Sequence, residues 1–294
     1  MLGPSLLLGR PDAAPARTSA RSLRLGALAL GIVSGFAPSG SSRAAGPASA
    51  PPTATAPEKN KPPADSRPPI LLELFTSEGC SSCPPADELL AQLADAGQVE
   101  DTPVIALELH VDYWNYLGWR DPFSDAAFSQ RQDAYVRLLG LRGPYTPQLV
   151  VDGRFDVLGS SGVRARAAVL NAGDRKRATL RLRLGGPGDT LHAEVRDLPG
   201  QRVTLYVAVT ERGLQTRVPK GENAGRTLAH GPIVRLLRSV ARGDAGSLQA
   251  DVPLSLAKTW RREALRVVAF AQDDTTGQIC GAAEVPLGPT SATK

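Results

Sequence analysis

The chain is poor in the residues that most often carry chemistry. Of its 294 residues only three are cysteine and three are histidine, and aromatics make up 5%. Three cysteines cannot build the dense disulfide frame of a small secreted scaffold. His110, His192 and His230 are the only imidazoles on offer, and no second Cys-x-x-Cys accompanies the one at Cys80 and Cys83. A four-ligand structural zinc site is therefore hard to assemble. No apolar run reaches the roughly 20 residues that a membrane-spanning helix needs. The formal charge is +5, yet arginines such as Arg181, Arg183, Arg235 and Arg238 are spread along the chain. They form no compact block interleaved with aromatics, which argues against nucleic acid as a partner. No internal repeat is present. What remains is 42% hydrophobic and 21% charged, the balance of an ordinary globular protein with one or two domains.

The N-terminus reads as a targeting segment, residues 1–44. Arg17, Arg21 and Arg24 precede an apolar run from Leu25 to Phe36, and small residues including Ala44, Ala45, Ala48 and Ala50 follow. That is the layout of a secretory signal, so a secreted or periplasmic location is expected. An uncleaved anchor is the alternative, and it would be the only contact with a membrane. Residues 45–68 are rich in proline and alanine, lack hydrophobic periodicity and read as a disordered linker. In an oxidising compartment a cysteine pair can persist as a disulfide.

Residues 69–174 carry an α/β pattern. PILLELFT (69–76) is short, apolar and proline-bounded, a strand signal. PPADELLAQLADA (84–96) reads as a helix with prolines at its start, an apolar stripe at Leu89, Leu90 and Leu93, and Gly97 as its stop. PVIALELH (103–110) is a second strand, 124–139 a second helix with Ser124 as its expected N-cap, and 146–159 two strands joined at Asp152-Gly153, a hairpin signal. A last helix follows from about Ser161. A helix between the first two strands makes them parallel. The expectation is a mixed four-stranded sheet with helices on both faces. Residues 175–288 alternate instead, as in RATLRLRL (177–184) and RVTLYVAVTE (202–211), with turns at Gly185-Gly186, Pro199-Gly200 and Thr276-Gly277. This reads as an antiparallel, sandwich-like β domain.

Cys80 and Cys83 fall between a strand and a helix start. Free N–H groups and the positive end of the helix stabilise a thiolate there. The i, i+3 spacing lets the second cysteine resolve a mixed disulfide made by the first. Cys80 is then the attacking thiol and Cys83 the resolving one, and the redox-active disulfide needs no dissociable cofactor. Two plainer readings stand beside this. A structural staple would close a very small loop and remove little chain entropy. A metal site is the other: Cys80, Cys83 and His110 could hold Cu(I), in a metallochaperone-like module.

Taken together, TSEGCSSCPPADELL, HVDYWNYLGWRDPFS, YTPQLVVDG and GENAGR (221–226) resemble a bacterial family of predicted secreted, thioredoxin-fold proteins known only as domain of unknown function 1223. The resemblance covers roughly residues 70–286 and departs from the family in the long proline-rich N-terminal extension. It implies a thioredoxin-like module followed by a β-rich part, but supplies no reaction. Within the thioredoxin superfamily it implies that Pro147 is a cis-proline and that the backbone of Thr146 holds the substrate. It also implies that a buried acid on the strand before the cysteines moves a proton, for which Glu73 is the nearest match. Glu73 facing solvent at a sheet edge is the plain alternative.

The segment 110–123 concentrates Tyr113, Trp114, Tyr116, Trp119 and Phe123 after the carboxyl end of a strand, where ligand crevices of α/β sheets lie. It reads as a wall beside the cysteines, with His110, Asp112, Trp114 and Tyr145 as substrate-binding residues. His110 and Asp112 are the groups suited to polarise a thiol or bind a metal, unless His110 is structural. Loop 221–226 is either near the site or a surface turn. Cys280 reads as a buried small hydrophobe. The expected function is thiol–disulfide oxidoreductase chemistry on a protein or small-molecule thiol substrate. The alternatives are the Cu(I) module or a non-catalytic interaction protein.

Overall fold

Strand β1, Ile70–Thr76, is buried along its whole length, so both faces of the sheet are covered at this point. Its alternation divides the core. Ile70, Leu72 and Leu74 enter one apolar cluster with α1 (Pro84–Ala96) and α3 (Gly162–Gly173). Leu71 and Phe75 enter a second cluster on the opposite face, with Phe128 and Tyr135 of α2 (Ala126–Leu138). The short β2 (Gln98–Val99) turns the chain into β3 (Thr102–His110), which runs parallel to β1. β4 (Gln148–Val151) and β5 (Phe155–Leu158) form a hairpin, and β4 pairs antiparallel with β1. Asp125, not Ser124, caps α2: its side chain accepts the Ala127 N–H at 2.8 Å, while the Ser124 hydroxyl donates to the Asp121 carbonyl.

The computed structural model describes residues 67–288 apart from 186–188, 200–201 and 245. The expected targeting segment and all but the last two residues of the expected linker lie outside the described residues, as do Gly186 and Gly200 of two expected turns. The described residues fall in one compact unit.

The second half begins with β6 (Thr179–Gly185) and β7 (Thr190–Leu198). They are followed by β8 (Val203–Glu211), β9 (Gln215–Arg217), β10 (Thr227–Ala229), β11 (Ile233–Gly243) and β12 (Gly246–Pro253). β13 (Leu265–Asp273) and β14 (Ile279–Pro286) close the chain. β12, β7 and β6 make a three-stranded sheet. Its inner face, with Leu191, Ala193 and Val195, packs on Leu205, Val207, Val209, Val267 and Ala269 of β8 and β13. Cys280, on β14, is a buried free thiol of that core, and burial first of all pushes its pKa up to about 11.

The five strands of residues 69–174, one more than expected because of the short β2, do not close a sheet of their own. The order is β14-β13-β8-β11-β3-β1-β4-β5, with β2 beside β3. β11 joins β3 in parallel at Ile233 opposite Glu108, and the Glu108 N–H donates to the Pro232 carbonyl at 3.0 Å. The halves also touch at the hairpin tips. Gly153 has φ 65°, and a Cβ there would lie 1.9 Å from the Gly277 carbonyl oxygen. Only glycine meets both demands.

Candidate functional site

Cys80 and Cys83 are joined by a disulfide, and both are buried, at 1% and 0% exposure. Ser81 and Ser82 between them are exposed, and the Ser82 hydroxyl lies 3.4 Å from the Cys80 sulfur. Cys83 caps α1 and its carbonyl accepts the N–H groups of Ala86 and Asp87. Amide donors are scarcer here than a generic helix start offers. Pro84 and Pro85 carry no N–H, and the Cys83 N–H is taken by the Cys80 carbonyl at 3.2 Å.

Asp87 lies one turn beyond Cys83, on the buried stripe of α1 with Ala86, Leu90 and Leu93. Its carboxyl accepts the Thr76 hydroxyl at 2.6 Å. Burial, reinforced by Glu108, raises its pKa from 3.8 to about 7. Sequence reasoning missed this residue, although its place on an otherwise apolar stripe was a signal.

Glu73 is not brought to the cysteines. It shares the parity of Leu71 and Phe75, and so projects toward α2, whereas the cysteines open α1 on the other face. Nor does it meet solvent. Arg131 binds it through two nitrogens, at 2.5 and 3.0 Å, and the Tyr135 hydroxyl donates to it. It is half of a buried ion pair.

The face under the start of α1 holds a polar network. Glu108 and His110, two apart on β3, share the parity of Val104 and Ala106 and so lie on α1's side. His110 uses both ring nitrogens: Nδ1 meets Asp121 at 2.7 Å and Nε2 meets Glu108 at 2.9 Å. His230 bridges Glu108 and Glu78, each at 3.1 Å. Burial pulls both imidazole pKa values down, but the carboxylates outweigh it. His110 is raised well above 6.5, and His230 to about 9. Burial likewise opposes ionisation of Glu108, but the two imidazoles hold its pKa down at about 2. The surrounding carboxylates thus favour the protonated form of both imidazoles. Glu108, His110 and His230 have ligand atoms within 4.8 Å of one another, a set without a cysteine.

The aromatic segment walls the cysteine loop. Trp114 packs on Gly79, where an added Cβ would lie 3.0 Å from the Trp114 Cβ. Its indole N–H donates to the Thr146 hydroxyl at 2.8 Å, and that of Trp119 to Glu78 at 2.7 Å. The Thr146–Pro147 bond is cis. A Cβ on Gly159 would lie 3.1 Å from both the Pro147 Cβ and the Ala86 Cβ, so Pro147 sits beside the first turn of α1. Two other expected wall residues are engaged by partners outside the cysteine loop. Asp112 is held by Ser129, and the Tyr145 hydroxyl donates to Asp156 on β5.

Loop 221–226 is at the site rather than a remote surface turn. It is the tip of the β9–β10 hairpin. The Glu222 carboxylate accepts the Ser81 N–H at 3.1 Å, and Asn223 donates to the carbonyls of Glu78 and Cys80 at 2.9 and 3.0 Å. The cysteine loop is therefore shared by both halves of the chain.

A family model described as a protein of unknown function (DUF1223) matches residues 71–272. The chain belongs to this family. The matched span includes the cysteine loop, the β9–β10 tip and His230 alike. The crystal structure of protein AGR_C_4864 from Agrobacterium tumefaciens is similar, with 27% identity and a TM-score of 0.62 over 79% of this chain and 100% of that one. A β-glucuronidase from Bacteroides uniformis aligns over 37% of this chain and 12% of its own, with 17% identity and a TM-score of 0.16; so slight a likeness carries no argument. No curated protein matches the chain. Among the described residues no helix is long and apolar enough to cross a membrane.

Proposed function

We propose that the protein is an exported thiol–disulfide oxidoreductase with a thioredoxin-like module, acting on a protein or small-molecule thiol. Its secreted or periplasmic location rests on the signal-like residues 1–44. The observation that carries the function is the Cys80–Cys83 disulfide at the first turn of a helix, with a buried carboxyl near neutrality one turn behind it. A carboxyl titrating near the working pH can both give and take a proton.

A substrate thiolate attacks the Cys80 sulfur, and the bond to Cys83 breaks. The electron pair leaves on Cys83, which takes a proton from Asp87. A second substrate thiolate then attacks the mixed disulfide and Cys80 leaves as a thiolate. The substrate is oxidised by two electrons to a disulfide, and the protein pair is reduced by two. Run in reverse, Asp87 accepts the Cys83 proton as Cys83 resolves the mixed disulfide. Pro147, Thr146 and Trp114 line the approach to Cys80. The copper reading asks His110 to leave both of its carboxylate partners, and exchange chemistry does not.

The test is trapping. Reduced Cys83→Ser protein incubated with oxidised glutathione should accumulate a mixed disulfide at Cys80, read by mass. Cys80→Ser protein should accumulate far less. Equal labelling of the two variants, or none, contradicts the assigned roles.

A further inference from the structure

We infer that Glu222, anchored by Asn223, is a positioning residue that makes Cys80 a weaker acid, and the pair a stronger reductant, than the helix start alone would. The inference rests on the exchange reading above and goes beyond it by giving the C-terminal half a chemical role.

Asn223 is fully buried and its hydrogen bonds fix its orientation. Its amide nitrogen donates to the carbonyls of Glu78 and Cys80, and its oxygen accepts from Arg226 at 2.7 Å. The tip around it is braced by Ala224 N–H to Gly221 O and Gly225 N–H to Val218 O, at 3.1 and 2.8 Å. Gly221 lies against Trp119. A rigid hairpin end therefore grips the turn that carries Cys80, and Glu222 is delivered to a fixed place.

That place is the Ser81 amide. A thiolate on Cys80 would draw on nearby N–H groups. With Pro84 and Pro85 lacking them and the Cys83 N–H already bonded to the Cys80 carbonyl, the amides of Ser81 and Ser82 are the backbone donors left between the cysteines and the first turn, beside the Ser82 hydroxyl 3.4 Å from the Cys80 sulfur. Glu222 occupies one of these and sets a negative charge beside it. Both effects disfavour the thiolate, and a less stable thiolate makes the reduced pair give up electrons more readily. The other ionisable groups around the turn are committed elsewhere. Glu78 pairs with His230 and Trp119, Asp87 with Thr76, and Arg226 with Asn223.

The experiment compares full-length protein with Glu222→Gln, Glu222→Ala and Asn223→Ala. One measurement is the equilibrium with glutathione. The other is the pH profile of Cys80 alkylation by iodoacetamide after reduction with dithiothreitol. All three variants are expected to shift the equilibrium three- to tenfold toward the dithiol, about 15 to 30 mV, and to move the alkylation profile to lower pH. Glu222 is exposed, so its variants should melt with the wild type. If Asn223→Ala does not fold, the Glu222 variants decide. Profiles coincident with the wild type overturn the inference. A wild-type pair that glutathione cannot reduce overturns the exchange reading instead, and the alkylation profiles still judge Glu222.

Discussion

Substituting Asp87 by asparagine should make the protein more stable, and increasingly so as the pH rises. Asp87 is 4% exposed, and its pKa is raised from 3.8 to about 7, chiefly by burial. The fold therefore prefers the protonated form. Its contribution is fully present below 3.8 and is lost as pH rises through about 7. At 1.36 kcal/mol per unit, the loss is about 4 kcal/mol in all, of which about 2 to 3 kcal/mol falls between pH 5 and pH 8. The asparagine side chain would carry no charge to bury, and its oxygen can still accept the Thr76 hydroxyl. Urea unfolding of the oxidised wild type and Asp87→Asn at both pH values, by linear extrapolation, measures the difference directly. The advantage of the variant should grow by about 2 kcal/mol or more from pH 5 to pH 8. Stability curves that run parallel would mean Asp87 titrates as an ordinary carboxylate, and the proton-transfer role assigned to it would fall with them.

The same Asp87→Asn change should slow turnover of a model dithiol by about tenfold or more, because it removes the group that exchanges a proton with Cys83; an unchanged rate contradicts that role. Glu73→Gln should cost about 3 kcal/mol by leaving the buried Arg131 charge without its carboxylate, yet leave the reduction potential unmoved; a shifted potential would return Glu73 to the site. His230, whose pKa is raised from 6.5 to about 9, contributes stability that is full below 6.5 and lost as pH rises through about 9. His230→Gln should flatten that loss in unfolding curves, and an equally steep loss refutes the pairing. Gly153→Ala should cost at least about 2 kcal/mol, through its positive φ and the clash with Gly277, and a neutral melt contradicts that contact.

Where the pattern is local, the residues themselves announced it. The 84–96 helix, with prolines at its first positions and Gly97 after, and the Asp152-Gly153 hairpin follow from short-range stereochemistry. So does the placement of the cysteines between strand and helix. β11 went unread because its alternation is broken by shifts near Leu236 and Ala241, and because its partner β3 lies more than a hundred residues earlier. That one pairing makes the strands of residues 69–174 part of a larger sheet. Glu73 shows a different failure. A family analogy chose it, while its parity with Leu71 and Phe75 already pointed it away from α1. Glu108 and His110, two ionisable groups on one face of an apolar strand, were visible as a pair, whereas nothing local brought His230 to them. Glu222 and Asn223 were singled out only as a loop, since their partners lie some 140 residues away along the chain.

The most direct test of the central claim is the reduction potential of the Cys80–Cys83 pair in the full-length protein, measured in glutathione buffers with free thiols trapped. The account predicts a value between about −270 and −120 mV, where working oxidoreductases lie. A value below about −300 mV would mark a structural disulfide and contradict it.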